Sequence, residues 1–146
     1  MSYTQRFSEG WELIDYMIGA NVAANTESNT GYNAITNFHR LVVIIHPVAL
    51  NDALDVDIEQ ATTTAGANPG AFHSSDHDIT VAAADTLPSV IEIAGEEFDV
   101  TGARDCLNVE VTTANTGGDS NYFVVEIWGM PRFAPAATTN LDSVTD

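Results

Sequence analysis

The sequence predicts an all-β fold: an antiparallel β-sandwich, jelly-roll-like, with an extended or short helical N-terminal element. Three observations carry that prediction. Leu54-Asp55-Val56-Asp57-Ile58-Glu59 and Leu107-Asn108-Val109-Glu110-Val111-Thr112 alternate apolar and polar with a period of two, the pattern of strands with one buried and one wet face. Leu41 to Ile45 is a continuous aliphatic run, and Tyr122 to Trp128 is apolar on both sides. Stretches rich in Gly, Asn, Pro and Ser separate these runs, and each of those residues favours turns for its own steric or hydrogen-bonding reason.

Along the chain, residues 11–18 come first and read two ways. Trp11, Ile14 and Ile18 fit a helical face, whereas Ile14, Tyr16 and Ile18 fit a strand face. Asn25 to Asn33 is turn-rich. Leu41 to Ile45 is a buried strand with His39 and His46 flanking it, and Leu54 to Glu59 is the first alternating strand. Ala65 to Ser75 is a long loop, of a kind that often carries function. Asp78 to Ala82 and Ser89 to Ala94 are further strands, and Glu96 to Asp99 is a single helical turn. The last two strands are Leu107 to Thr112 and Tyr122 to Trp128. Gly117-Gly118 between them precedes a strand and not a helix, which marks a hairpin turn and not a phosphate loop. Six to eight short strands with such turns point to a sandwich. The expected organisation is an N-terminal arm and first element over 1–37, a core domain over 38–135 and a C-terminal tail over 136–146.

Charge bounds the partners. The chain has no lysine and four arginines, Arg6, Arg40, Arg104 and Arg132, against 21 acidic residues, for a formal net charge of −17. Gripping nucleic acid requires neutralising phosphates with Lys and Arg, and an anionic membrane surface repels such a chain. Neither nucleic acid nor membrane is an expected partner. Hydrophobic residues make up 45% of the chain, enough to fill a core. The longest apolar run falls far short of the roughly 18 residues a membrane helix needs, and the polar start carries no signal-peptide pattern.

Possible chemistry is sparse. His73, Asp76, His77 and Asp78 form the one segment with metal-ligand spacing, but it lies in a Gly/Pro-flanked loop. Asp55, Asp57 and Glu59 have the spacing of the first ligands of a calcium loop, without the glycine and later ligands such a loop needs. No GxSxG elbow occurs. Cys106 reads as a buried small residue, since one cysteine makes no disulfide or multi-cysteine metal site. The expectation is therefore no catalytic residue, no metal and no cofactor.

Interface candidates stand out more clearly. A strand apolar on both faces needs an outer cover, either a neighbouring subunit or an arm of the same chain. After Trp128 come Met130, Pro131, Arg132, Phe133 and Pro135. Trp and Arg are favoured anchors at interface centres. Tyr122, Trp128, Arg132 and Phe133 are thus interface candidates, with Phe7 and Trp11 of the N-terminal arm beside them.

Three segments in this order carry a resemblance: Phe38-His39-Arg40-Leu41-Val42-Val43-Ile44, then Leu54-Asp55-Val56-Asp57-Ile58-Glu59-Gln60-Ala61-Thr62, then Glu96-Glu97-Phe98-Asp99-Val100 with the closing strand and Pro131-Arg132-Phe133-Ala134-Pro135. Over roughly residues 38–135 the chain resembles small structural proteins of tailed bacteriophages, the auxiliary head proteins that act as capsid decoration or cement. The resemblance implies a non-enzymatic virion protein made in the host cytoplasm. It would bind the major capsid protein on the capsid exterior and associate with itself, as a trimer. The alternatives are a head–tail or tail component, and a β-sandwich module binding carbohydrate or calcium.

Overall fold

The structure, a computed structural model, describes residues 10–72, 77–98, 103–115 and 120–132. It is an all-β sandwich of two antiparallel sheets packed face to face. The strands are β1 (Glu12–Val22), β2 (Glu27–Asn29), β3 (Asn33–Ala34), β4 (Phe38–Ala49), β5 (Leu54–Ala61), β6 (Gly70–Ala71), β7 (Ile79–Val81), β8 (Ser89–Ala94), β9 (Cys106–Thr113) and β10 (Asn121–Pro131). One sheet has the order β1-β10-β4-β8. The other has the order β2-β9-β5-β6, with β3 added on β9 and β7 on β5. A 3-10 turn, Gly95–Glu97, follows β8, and the Glu97 carboxylate reaches back to accept from the Ala94 N–H.

The alternating segments form strands for the reason their pattern gives. Leu54, Val56 and Ile58 of β5 and Leu107, Val109 and Val111 of β9 are fully buried, and they meet Leu41, Val43 and Ile45 of β4 and Phe123, Val125 and Ile127 of β10. Ile91 and Ile93 of β8 complete the inner face of their sheet. Cys106 is buried as expected, and burial pushes its thiol pKa up.

The N-terminal element is a strand. Its register on β10 runs Leu13↔Trp128 and then Asp15↔Ile127, so one extra residue, Ile14, interrupts the alternation. A bulge of this kind places two residues opposite one. It explains why the segment imitated a helical period: Ile14 and Met17, three apart, both pack against the core, while Tyr16 and Ile18 are exposed. Residues 12–34 supply β1 to one sheet and β2 and β3 to the other.

At one end a single amide ties three segments together. Asn121 at the start of β10 is fully buried. Its Oδ1 accepts from the Asn51 and Asp52 N–H groups, each at 2.9 Å. Its Nδ2 donates to the Val22 carbonyl and to Asp52 Oδ2, each at 3.1 Å. Both donors and both lone pairs of the amide are therefore used, which joins the end of β1, the β4–β5 turn and β10. Asn121→Ala should lower stability by about 2 kcal/mol, because the buried Asp52 carboxylate and two N–H groups lose a partner. Urea unfolding at neutral pH measures it, and an unchanged midpoint would contradict this role.

Candidate functional site

The strand alternation that buries one face of the β1-β10-β4-β8 sheet sets the other face outward. Its side chains fall in cross-strand rows given by the register. Leu13, Trp128, Val42 and Glu92 form one row. Tyr16, Glu126, Ile44 and Val90 form the next, and Ile18, Val124 and His46 a third. Tyr16 is 58% exposed, Ile18 63% and Val90 56%. Tyr122 and Val48 extend the exposed apolar surface beyond the third row, and Leu87 lies just before β8. Several contiguous exposed apolar side chains on one sheet face mark an interaction surface better than scattered ones do.

On β4, β8 and β10 the charged or titratable side chains of this face are Arg40 at one end, then Glu92, Glu126 and His46, and the central pair is engaged within the sheet. Glu126 Oε2 lies 3.5 Å from His46 Nε2 and accepts from Trp128 Nε1 at 3.0 Å. Trp128 is only 8% exposed. Beside it, Trp11, Val42, Ile44 and Trp128 line a small apolar cavity of about 80 Å³. The two tryptophans singled out in the sequence therefore come together at one end of this face, and Tyr122 lies toward the other. Cover for the outer face begins within the chain, at Trp11, and leaves Tyr16, Ile18 and Val90 open.

Arg132 is placed differently. Its Nε donates to the Phe38 carbonyl at 2.9 Å and its backbone N–H to the Asn37 carbonyl at 2.7 Å. It lines a cavity of about 260 Å³ with Ile35, Thr36, Gly95, Phe98, Ala103, Arg104 and Asp105. Arg40 lines a neighbouring depression that shares Gly95. The arginines of the described residues thus gather at one end of the sandwich, where β10 ends and β4 begins. No pattern in the sequence foretold that grouping, because Arg40, Arg104 and Arg132 lie far apart along the chain. Phe7 and Phe133 lie outside the described residues, as do His73, Asp76 and Gly117-Gly118.

The opposite sheet shows an acidic outer face. Asp55, Asp57 and Glu59 of β5 are the polar side of its alternation, and Asp57 stands directly across from Glu110 of β9. Like charges directly opposed destabilise a ladder. Burial and then the Asp78, Asp55 and Glu59 charges push the Asp57 pKa up. Burial and then Glu27, Glu59 and Asp57 do the same to Glu110. Glu59 is partnered: it accepts from the Tyr32 hydroxyl at 2.7 Å and from Asn108 Nδ2 at 3.2 Å. Burial and that bond raise the Tyr32 pKa to about 12. Asn108, on the side expected to be wet, is 4% exposed, held also by Thr30 at 3.3 Å. Among the described residues, no three His, Cys, Asp or Glu side chains converge as metal ligands. His77 stacks on Phe72, ring centroids 5.3 Å apart, with its Nε2 3.0 Å from Glu97 Oε1. That separation is close enough for an ion pair, although the angle between the two groups is too poor for a hydrogen bond.

Compared with known protein families and with curated proteins, the chain matches none.

The opposed carboxylates give a pH prediction. A carboxylate whose folded pKa lies above its unfolded value binds more protons when folded, so stability rises as pH falls through that window. Asp57→Asn and Glu110→Gln should therefore raise the melting temperature at neutral pH. The gain should shrink toward zero as pH approaches the ordinary carboxylate values of 3.8 and 4.5. Thermal scans across that range check it; a lower melting temperature in either variant at neutral pH would refute the repulsion.

Proposed function

We propose that this chain is a non-enzymatic structural protein of a phage virion, a decoration or cement protein that binds the major capsid protein on the outside of the head. The observation that carries this reading is the polarity of its surface. Arg40, Arg104 and Arg132 sit at the end that also bears Trp11 and Trp128, in a chain of net charge −17. Among the described residues, arginine side chains stand only at that end. An aromatic anchor with adjacent Arg is the composition of an interface centre, and the acidic remainder keeps neighbouring particles apart.

The strand order supports the same reading. Two sheets of order β1-β10-β4-β8 and β2-β9-β5-β6 are what a double-sheet jelly roll would give, an architecture found in viral capsid and lectin domains. The lectin reading has one specific observation in its favour, the exposed Tyr16 and Tyr122 on one face. Between them lie Ile18 and Val124, and the polar groups at hand, Glu126 and His46, are engaged with each other. A sugar needs hydrogen-bonding groups beside its aromatic platform, so the structural reading is preferred.

The test is a charge reversal. Arg40→Glu combined with Arg132→Glu should weaken binding to heads by roughly thirtyfold or more, the effect of losing about 2 kcal/mol at an interface anchor. Circular dichroism should show the fold retained. Cosedimentation with heads, and negative-stain images of virions with and without the protein, read the outcome. Wild-type occupancy by the double variant would remove this end from the contact.

A further inference from the structure

We infer that the outer face of the β1-β10-β4-β8 sheet is where two copies of this chain meet, face to face about a two-fold axis. Arg40 and Trp128 stand at one margin of the same face, and the two copies meet over the rest of it. Two chains of net charge −17 repel, and close approach requires a surface poor in carboxylates. The opposite sheet cannot serve, since Asp55, Asp57, Glu59 and Glu110 occupy its outer face. The face bearing Tyr16, Ile18, Ile44, Val90 and Val124 can: of its two carboxylates on β8 and β10, Glu92 stands on the edge strand β8, and the central one, Glu126, accepts from Trp128 Nε1 and lies 3.5 Å from His46 Nε2.

Symmetry and size agree. A sheet face is broad and gently twisted, and two such faces pack on one another about 10 Å apart. A contact made by the same patch on both partners closes as a dimer, which replaces the threefold assembly expected from the resemblance. At ~3.3 Å per residue and ~4.8 Å between strands, the four strands span roughly 600 Å² in projection before side-chain relief. That approaches the ~800 Å² per partner of a standard interface. Facing rows would oppose Ile18 and Val124 to apolar side chains of the second copy. The Glu126 carboxylate would lie near the axis, already accepting a hydrogen bond from Trp128 Nε1.

Sedimentation velocity on the full chain in moderate salt tests this, with salt present to screen the general repulsion. The expected species has twice the 15.6 kDa chain mass. Ile18→Glu and Val90→Glu, on the two outer strands of the face, should each weaken the dimer about thirtyfold or more, because each buries an unpaired charge within it. Both positions are more than half exposed, so the melting temperature of the dissociated chain serves as the check on folding. Should one variant unfold, Tyr16→Glu, 58% exposed, takes its place. A wild-type chain that stays monomeric, a trimer, or a dimer indifferent to these variants would each overturn the inference. Loss of the dimer by Ile18→Glu with head binding retained would separate this surface from the arginine-bearing end.

Discussion

β4 and β10 lie side by side in the middle of their sheet, and every other part of the sandwich is placed by that antiparallel pair. Each is flanked on its far side, β10 by β1 and β4 by β8. Their inward residues, Leu41, Val43, Ile45, Phe123, Val125 and Ile127, are all fully buried. Those six form the centre of the core layer that β5 and β9 close from the other sheet. Close packing explains two glycines at its margins. A Cβ on Gly19 would stand 2.4 Å from the Phe123 ring, and one on Gly129 2.3 Å from Phe38. Neither buried ring has room to withdraw from such a contact.

The same pair decides where the molecule can meet a partner. An all-β domain with one wet face per strand would need no apolar residues on the outside of β4 and β10. Here Val42, Ile44, Val124 and Trp128 are there, and carboxylates crowd the outer face of the other sheet. That segregation has a cost where it concentrates: Asp57 faces Glu110 across the ladder, while Glu59 escapes by bonding Tyr32 and Asn108. An apolar outer face on one sheet and crowded carboxylates on the other are two results of one distribution of 21 acidic residues.

Much of this was legible because a period of two is hard to imitate. β5 and β9 could be placed from alternation alone, and β4 and β10 from aliphatic and aromatic runs. β2, β3 and β6 could not, since Glu27-Ser28-Asn29, Asn33-Ala34 and Gly70-Ala71 carry turn residues and become strands only by pairing with β9 and β5. β1 was ambiguous because Ile14 is the extra residue of a bulge, and a bulge erases the very parity that identifies a strand. Of the interface candidates, Trp11, Trp128 and Tyr122 share a face that the two-sided apolar pattern of β10 announced. Arg132 does not share it, because its position depends on a backbone carbonyl, Phe38, distant in sequence.

The pairing of β1 with β10 has a kinetic side. The first and last strands of the sandwich are hydrogen-bonded neighbours from Glu12↔Gly129 to Val22↔Asn121. During synthesis β1 must wait for its partner until nearly all of the sandwich has left the ribosome, so its free edge and the exposed Tyr16 and Ile18 are open to wrong partners for that time. Contacts between such distant residues also close slowly. Joining residues 10 and 132 through a short linker and opening the chain in the exposed 82–88 loop would turn that distant pairing into a local hairpin, and such a permuted chain should fold faster without any change in its packing.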